Sequence, residues 1–329
     1  MLDSYRQYIH EGKVVIPQGV QTIEENAFFE CNEITDAEIP DSVTIIGNGA
    51  FFGCKNLKEI KLPHSLSVIR DYTFSASGLT SIDIPDSVTT IGSHAFSGCK
   101  SLASVTIPGS VKKMFDGAFQ GCQNLTSIEI PDSVTVLWPG AFRNCSSLMD
   151  ITLPRSIKRI TAEVFSGCKN LGKIELSDTI TEINNSAFAG CQSLNSIEIP
   201  ETVTIIGEAA FCKCTGLTSV KIPPRVTFIG KYAFYGCDHL STIILPASLR
   251  YLEESAFREC HLAHIFLHQD NPQTAERLMK NALPGNISFI TLHVPEGTET
   301  SYIQNGYFSH FEAVTSIQNT VIQPHLKTI

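Results

Sequence analysis

Cysteines are the first residues in this 329-residue chain whose type and spacing could do chemistry. Ten of the eleven recur about every 23 residues. That spacing is unlike a zinc site, whose paired ligands stand roughly two to four residues apart. A catalytic thiol would be one distinguished residue rather than ten equivalent ones. Disulfides between copies are also disfavoured, because Cβ atoms stacked about 4.8 Å apart are farther than the roughly 3.8 Å of a bridge.

We therefore predict that these ten cysteines are buried free thiols that pack as small hydrophobic groups and bond weakly to the backbone. Ser77 takes the same position in one copy and fits this interpretation, because a small polar group can replace a thiol there. Cys212 stands at a different, variable position that we expect to be exposed, as either a reactive thiol or an incidental one. The ten equivalent residues are Cys31, Cys54, Cys99, Cys122, Cys145, Cys168, Cys191, Cys214, Cys237 and Cys260.

Carboxylates recur with the same period and are the second candidate for chemistry. One position is acidic in five of its first eight copies. A pair such as Glu175 and Glu198 could serve a glycosidase, which needs two carboxyl groups roughly 5–10 Å apart. Such an enzyme also needs burial to raise the pKa of one carboxyl group, whereas we expect both to face water. The full series is Glu38, Lys61, Asp83, Thr106, Glu129, Thr152, Glu175, Glu198, Lys221, Ile244, Phe266 and His293.

An internal repeat must position these residues. Eleven phenylalanines, from Phe28 to Phe257, follow one another at nine intervals of 23 residues and one of 22. The unit reads L-x-x-I-x-I-P-x-S-V-x-x-I-G-x-x-A-F-x-x-C-x-x, and residues 125–147 contain almost all of it. A fixed period of this length is typical of a repeat solenoid, in which each copy contacts mainly its neighbours.

Each copy is predicted to form one short strand and a return turn. Ile128 and Ile130 alternate with Glu129, so the isoleucines should enter the core while the glutamate faces solvent. Pro131 lacks a backbone N–H and should end the strand. The Ala-Phe pair that follows should pack inside a turn or a single turn of 3₁₀ helix. Because one copy cannot bury its apolar residues alone, stacked copies should form a continuous core beside a parallel sheet.

The pattern L-x-x-I-x-I-P…I-G-x-x-A-F-x-x-C resembles the leucine-rich repeats of BspA-like proteins over about residues 14–268. Residues 292–298 (LHVPEGT), followed by Tyr302, are similar to the ending of many such arrays. The resemblance implies a right-handed leucine-rich-repeat superhelix, with a parallel β-sheet on one face and short 3₁₀ or turn segments elsewhere. It also implies adhesion at the cell surface or after secretion in host-associated microbes, including binding to extracellular-matrix proteins, and it carries no catalytic residues. Fold by itself does not fix function.

Three segments are expected along the chain. Residues 1–13 should form an N-terminal cap, residues 14–268 about eleven repeats, and residues 269–329 a C-terminal helix, strand and cap. A helix should begin at Asn271-Pro272, and residues 289–295 should form a further strand. Because the ends of a solenoid expose core unless they are capped, we expect the closing segment to be continuous with the array.

Composition and motifs exclude several classes of function. The formal net charge of −9 disfavours nucleic acid as a partner, because phosphate binding needs a basic surface. No apolar run approaches the roughly 20 residues of a membrane-spanning helix, and no secretory signal is visible at the start. The motifs of serine hydrolases, P-loop proteins, zinc proteases and dinucleotide-binding folds are absent. We expect no enzymatic activity, no cofactor and no resident metal.

The exposed strand positions are the first candidate ligand site. They include Glu129, Glu175, Glu198 and Lys221, beside a column rich in serine and threonine. Concave solenoid faces commonly bind partners through such extended surfaces. The alternative is an ordinary solvated sheet face, whose stacked like charges disfavour one another.

The C-terminal end of this face is the second candidate. Ile244, Phe266 and His293 should lie near one another with His264 beside them, and an exposed apolar cluster of this kind can mark an interaction site. The alternative is that the closing segment covers the cluster. His264 and His293 could also approach each other, but no third metal ligand is evident in the sequence.

An aromatic pair is the third candidate. Phe115 and Trp138 replace the usual glycine in consecutive copies and should stack on an edge or on the convex side. Aromatic pairs can anchor proteins or sugars, or they can pack across the local backbone.

The leading functional hypothesis is a non-enzymatic adhesion protein at the cell surface or secreted, which binds a host or matrix protein or a glycan through its exposed strands. The alternative is a cytoplasmic protein-interaction scaffold, for which the many free thiols and the absence of a visible signal argue. The sequence leaves the oligomeric state open.

Overall fold

The computed structural model describes residues 5–317. Two compact units divide the chain, Met1–Ile174 and Glu175–Ile329. Each is a parallel-strand β-solenoid, which confirms the predicted fold class. The outermost parts of the two predicted caps, residues 1–4 and 318–329, lie outside the described residues, and the predicted segment boundaries stay predictions.

The first unit has one three-residue strand in each copy of the repeat, at the I-x-I positions. These strands are β2, β4, β6, β8, β10, β12 and β13, and their outward surface is here called the first-unit strand face. The strands belong to three successive parallel-paired groups, β2–β4–β6, β8–β10 and β12–β13, in which equal repeat positions pair, so that Glu38 lies opposite Lys61. All strands of the unit are β1 (Ile9–His10), β2 (Lys13–Val15), β3 (Thr22–Ile23), β4 (Asp36–Glu38), β5 (Ile45–Ile46), β6 (Glu59–Lys61), β7 (Val68–Ile69), β8 (Ser81–Asp83), β9 (Thr90–Ile91), β10 (Ser104–Thr106), β11 (Lys113–Met114), β12 (Ser127–Glu129), β13 (Asp150–Thr152) and β14 (Arg159–Ile160).

A second, shorter ladder follows the first, and the sequence analysis did not predict it. It consists of two-residue strands at the V-x-x-I positions, where only turns were expected. Ile23 of β3 pairs in parallel with Ile46 of β5, and β7, β9 and β11 repeat the arrangement. Each such strand contains one buried and one solvent-facing residue, which is too short an alternation to be recognised in a sequence.

The serine of the P-x-S-V segment joins consecutive copies. The hydroxyl of Ser133 donates a hydrogen bond of 2.6 Å to the carbonyl oxygen of Val111, one copy earlier. Ser110 bonds to Val88 in the same way at 2.7 Å. Within its own copy, the N–H of Val134 donates to the carbonyl of Pro131 and closes the turn after the strand. The repeated serine therefore satisfies a backbone carbonyl that would otherwise lie unpaired between copies.

The second unit repeats this plan and adds two α-helices and a 3₁₀ helix among its last strands. Its three- and four-residue strands β17, β19, β21, β22 and β23 form one parallel sheet, whose outward surface is here called the second-unit strand face. The elements are β15 (Glu182–Ile183), β16 (Ile205–Ile206), β17 (Ser219–Lys221), β18 (Phe228–Ile229), β19 (Thr242–Leu245), β20 (Tyr251–Leu252), β21 (His264–Leu267), α1 (Pro272–Met279), β22 (Thr291–Val294), α2 (Glu299–Ile303), a 3₁₀ helix (Phe308–His310) and β23 (Ala313–Ser316).

Two expected strands do not form. Residues 173–175 and 196–198 occupy I-x-I positions but make no strand. Gly172 and Asn195 precede them at a position that is threonine in four other copies. Both residue types are poor strand formers, glycine because it loses more backbone entropy on ordering.

The core is a column of phenylalanine rings, as the repeat predicted. All eleven are fully buried. In the first unit Phe96, Phe119 and Phe142 stack with centroid separations of 5.1 and 5.8 Å and are almost parallel. In the second unit Phe211 and Phe234 stack in the same way at 5.1 Å. Stacking identical rings at one repeat position removes each copy's largest apolar group from water, which stabilises the array.

The Ala-Phe segments are hydrogen-bonded turns rather than the 3₁₀ helices that were considered. Residues with left-handed backbone conformations flank each pair, such as His94 with φ of 54° and Gly98 with φ of 72° around Phe96. A 3₁₀ helix requires negative φ at consecutive residues, so these two positions interrupt it. The N–H of Phe96 instead donates to the carbonyl of Ala118 in the next copy.

The N-terminal end of the core is covered by Tyr5. Its ring contacts Phe28 edge-on, with centroids 5.6 Å apart, and its hydroxyl accepts a hydrogen bond from the backbone N–H of Glu24. The antiparallel pair β1–β2 follows immediately. These contacts remove the first phenylalanine of the column from solvent.

The C-terminal end is covered by the segment around α1 and α2. The helix α1 begins after Asn271, as predicted, and the side chain of Asn271 caps it. In most repeats, the N–H of the phenylalanine donates to a carbonyl of the next copy. At the last copy, the N–H of Phe257 donates to the carbonyl of Ala282 in the closing segment instead. Tyr302 is fully buried, and its hydroxyl donates to the carbonyl of Gln269 at 2.6 Å. The closing segment therefore continues the hydrogen bonding of the repeats within the second unit.

Candidate functional site

The cysteines form a buried, regular series of free thiols, as predicted. All eleven are free, and the ten equivalent ones are buried. The Sγ atom of Cys122 donates to the carbonyl oxygen of Phe96, 3.2 Å away and one copy earlier, while that oxygen also accepts from the N–H of Cys99. Both lone pairs of the carbonyl are thus used. The same thiol–carbonyl bond occurs at Cys54, Cys99, Cys145, Cys168, Cys214, Cys237 and Cys260.

Burial suppresses the reactivity of these thiols. Removal from water raises the pKa of Cys99 to about 11 and that of Cys145 to about 12. Ser77, which replaces a cysteine, is buried with its hydroxyl 3.3 Å from the Sγ of Cys99, as the sequence interpretation required. Because the thiolate is the nucleophile, thiols that stay protonated at neutral pH are unreactive.

Cys212 differs from the other cysteines but is half-buried rather than fully exposed. Burial raises its pKa, and Glu259 adds to the shift while Lys213 opposes it. Its thiolate fraction at neutral pH is consequently lower than that of a free cysteine.

Thiol labelling should separate the two kinds of cysteine. We expect native protein at pH 8 to react with a disulfide reagent at no more than one cysteine, slowly, and all eleven to react after unfolding. Cys212→Ser should abolish the native reaction and leave ten reactive thiols in denaturant. Rapid native labelling of several cysteines, or the same native reaction in the Cys212→Ser variant, would contradict this assignment.

The first-unit strand face carries a groove of about 670 Å³ whose charged lining residues are mostly acidic. Lys61 lies within it and bonds to Glu38, with Nζ and Oε1 2.9 Å apart, and this hydrogen bond raises the pKa of the lysine. The repulsion between stacked carboxylates expected from the sequence is therefore partly relieved within the chain. The charged and imidazole groups of the groove are Asp36, Glu38, Glu59, Lys61, His64, Asp83 and Asp86.

Sequence reasoning found only part of this groove. Glu38, Lys61 and Asp83 were identified as the residues between the two apolar positions of their copies. Asp36 and Glu59 were not singled out. Residues two positions apart on a strand face the same side, so alternation alone placed Asp36 and Glu59 beside them. The repeat position of Asp36 and Glu59 is mostly serine or threonine in the other copies, so the sequence analysis did not identify these two carboxylates.

The other predicted polar residues are exposed but do not lie in one cluster. Glu129 ends β12 in the first unit, and Lys221 ends β17 in the second, where its Nζ is 3.5 Å from Glu201. Glu175 and Glu198 are exposed in the two segments that form no strand. The structure provides no buried carboxyl pair of the kind that a glycosidase needs among these residues.

The C-terminal end of the second-unit strand face corrects one expectation. Ile244 and Phe266 were predicted to form an exposed apolar cluster, but they are 8% and 7% exposed. They lie opposite each other in β19 and β21, and the imidazole of His293 stacks on Phe266 with centroids 4.2 Å apart. The imidazole therefore covers one face of the ring, which excludes water from it.

His264 and His293 do approach each other, as the sequence analysis considered. His264 is exposed and His293 is half-buried, and the nitrogens Nδ1 of His264 and Nε2 of His293 are 3.2 Å apart. Burial lowers the pKa of His293, and the neighbouring His264 lowers it further. Among residues 5–317, no group of three or more His, Cys, Asp or Glu residues is arranged to hold a metal ion.

Phe115 and Trp138 contact each other, with ring centroids 5.2 Å apart and planes tilted by 44°. Trp138 is 41% exposed, and Phe115 is half-buried. Four copies have glycine here, and at Gly47 the backbones approach closely, because a Cβ atom would lie 2.4 Å from the backbone nitrogen of Glu25. The pair lies away from the strand face, and each ring covers part of the other.

Comparison with known proteins decides the family. The profile described as a BspA type leucine rich repeat region (6 copies) matches residues 6–125, 67–195, 158–282 and 204–329. The chain belongs to the BspA-type leucine-rich repeat family. Proteins of this class typically act in protein interaction or surface adhesion and are generally not enzymes. No curated protein is significantly similar to this chain.

Solved structures of bacterial leucine-rich repeat proteins resemble the chain. A leucine rich cell surface protein from Faecalibacterium prausnitzii A2-165 is 26% identical with a TM-score of 0.50, covering 82% of this chain and 90% of that one. A leucine-rich repeat protein from Bacteroides ovatus ATCC 8483 is 24% identical with a TM-score of 0.46, covering 83% and 94%. The T. pallidum leucine rich repeat protein is 29% identical with a TM-score of 0.39, covering 56% and 78%. Within the described part of this chain, no helix is long and apolar enough to cross a bilayer.

Proposed function

We propose that this protein is a non-enzymatic binding protein, displayed at the cell surface or secreted, which recognises a host or matrix protein or a glycan through its strand faces. The observation that carries the proposal is the groove on the first-unit strand face. Its side chains project from β4 and β6, which pair in register in one parallel sheet, and from β8, which pairs with β10 in a second sheet, so ligand groups would meet side chains that hydrogen-bonded strands hold in place. Beyond the groove, Glu129 is exposed on the first-unit strand face, and Lys221 is exposed on the second-unit strand face.

Charge favours a ligand with basic groups at this groove. Five carboxylates line it against one lysine and one histidine, and Lys61 is already paired with Glu38. Complementary charge increases association rates and selects partners more than it increases affinity. Basic segments of matrix proteins therefore fit the groove better than acidic glycans do.

A binding screen with paired variants tests the proposal. Extracellular-matrix proteins and a glycan array are probed with the full chain, and any ligand found is measured by surface plasmon resonance. Because charge reversal inside a polar interface introduces repulsion, Glu59→Lys with Asp83→Lys should weaken binding at least about tenfold. Glu25→Lys with Asp116→Lys changes the net charge equally at exposed positions outside the groove and should leave binding unchanged. Equal binding by both double variants, or no ligand in either screen, would overturn the proposed function.

The alternative function, a protein-interaction scaffold, would place the protein in the cytoplasm rather than at the cell surface. Antibodies against the chain should label intact cells of the source organism if the protein is displayed, and only permeabilised cells if it is cytoplasmic. The name of the F. prausnitzii relative, a cell surface protein, supports the first outcome.

A further inference from the structure

Two histidines on the second-unit strand face direct ring nitrogens at each other. Nδ1 of His264 and Nε2 of His293 are 3.2 Å apart, and the ring centroids are 5.3 Å apart. They lie on the neighbouring strands β21 and β22, where His264 is opposite Thr291 and His293 is opposite Phe266. The pair is thus a diagonal one, and both rings project to the outward side of the sheet.

The ring of His293 is held in place from two directions. It stacks on Phe266 with centroids 4.2 Å apart and planes within 8°. Its Nδ1 atom is 2.9 Å from the hydroxyl oxygen of Thr315 on β23. When Nδ1 carries the proton and donates to that oxygen, Nε2 keeps its lone pair on the side of His264. Hydrogen bonding of the distal nitrogen is the usual way in which a metal-binding histidine is oriented.

The separation of the two nitrogens fits a metal ion bound by both. Zinc–nitrogen bonds are about 2.0–2.1 Å long, and two of them at an angle of about 100° place the nitrogens roughly 3.2 Å apart, close to tetrahedral geometry. Without a metal, the same pair makes a single N–H···N hydrogen bond at the long end of the usual range. Metal binding requires that the proton of the His264 imidazole moves from Nδ1 to Nε2 by exchange with water and that this exposed ring reorients, so that both lone pairs point at the ion.

We propose that His264 and His293 bind one divalent copper or zinc ion, through Nδ1 and Nε2 respectively, with water completing the coordination. Imidazole suits both metals, and the general affinity order places copper above zinc. The described residues supply no third protein ligand, so water takes the remaining coordination positions. This inference is independent of the proposed adhesive function.

The pair spans an insertion in the repeat. His264 lies opposite Thr291, 27 residues later, because α1 is inserted between β21 and β22 where other strands follow after 22 or 23 residues, and His293 lies two residues beyond Thr291. Only the parallel pairing of these strands brings the two rings together.

Two other exposed histidines provide a matched control. Nδ1 of His239 is 2.6 Å from the carbonyl oxygen of Thr215, and Nδ1 of His261 is 2.6 Å from that of Asp238. In both rings Nδ1, the nitrogen that His264 would offer to a metal, is already hydrogen-bonded to a backbone carbonyl. No hydrogen bond joins the two rings. Removing both lowers the number of histidines by two, more than either single variant of the pair does, without touching the pair.

Calorimetric titration of the untagged, metal-free full chain with zinc chloride and copper chloride tests the proposal. We expect one equivalent of either ion to bind, copper more tightly, and copper electron paramagnetic resonance to show two nitrogen ligands. His264→Gln and His293→Gln should each weaken binding at least tenfold, and Thr315→Val should weaken it about tenfold because the orienting bond is lost. His239→Gln with His261→Gln should bind as the parent does.

Three results would overturn the proposal. The first is no binding of either ion by the parent chain, and the second is unchanged affinity in His264→Gln. The third is an equal loss in the His239/His261 control. Since His264 is exposed, its variant should keep the circular dichroism spectrum and thermal transition of the parent, which separates loss of the site from loss of the fold.

Discussion

Replacing Phe119 with alanine should lower the free energy of unfolding by about 3–5 kcal/mol, the range for deleting a buried aromatic ring. Phe119 is fully buried between Phe96 and Phe142, with centroids 5.1 and 5.8 Å away on its two sides. Its removal leaves a cavity that neither neighbour can fill, because each ring is held by the turn of its own copy. Denaturant unfolding followed by circular dichroism measures the change.

Phe289→Ala is the matched control, because the ring of Phe289 is 72% exposed. It should change stability by no more than about 0.5 kcal/mol. Phe119→Leu, which keeps most of the apolar volume, should lie between the two. A Phe119→Ala variant as stable as Phe289→Ala would mean that the phenylalanine column is not what holds the copies together.

Gly78→Ala should destabilise the protein by about 3 kcal/mol, at the upper end of the range for overpacking. A Cβ atom at this position would lie 2.0 Å from the carbonyl oxygen of Lys55 and 3.2 Å from that of Leu57. Both obstacles are backbone atoms, so no side-chain rotation relieves the clash. Gly78 belongs to the single 22-residue interval, in which one residue is missing after Ser77 and the chain passes closer to the preceding copy. Thermal and denaturant unfolding of the variant measure the effect.

Gly109→Ala tests whether the close approach of backbone atoms, rather than the loss of glycine itself, causes the destabilisation expected of Gly78→Ala. No atom lies within 4 Å of a Cβ built at Gly109, and its φ is not in the left-handed region. This variant should be as stable as the parent or slightly more stable, because alanine reduces the entropy of the unfolded chain. Comparable destabilisation by the two substitutions would refute the steric explanation for Gly78.

The buried thiols bear on the compartment in which the protein works. Many free cysteines in a sequence ordinarily favour a reducing environment. Here ten of the eleven are buried, and most of these donate to backbone carbonyls at Sγ–O distances of 3.0 to 3.2 Å. Oxidants reach exposed thiolates first, and these groups are neither exposed nor ionised. The cysteine content therefore does not argue against display at the cell surface.

The sequence determined the fold of this protein almost completely, because the same pattern of apolar residues that must be buried recurs in eleven copies. Isoleucines on either side of an exposed residue, the buried Ala-Phe pair and the cysteine each recur in register, and one copy alone cannot bury them. The start of α1 at Asn271-Pro272 and the burial of the free cysteines were also predicted from local chemistry and confirmed.

Features that depend on distances between copies were decided by the tertiary structure alone. The second ladder at the V-x-x-I positions is two residues long in each copy and leaves no readable alternation. Burial of Ile244 and Phe266 depends on what lies across the sheet, including the imidazole of His293. The approach of His264 to His293 depends on the pairing of β21 with β22 across an inserted helix. Periodicity specifies which face a side chain takes, but the distance between two side chains on that face follows only from how the strands are paired.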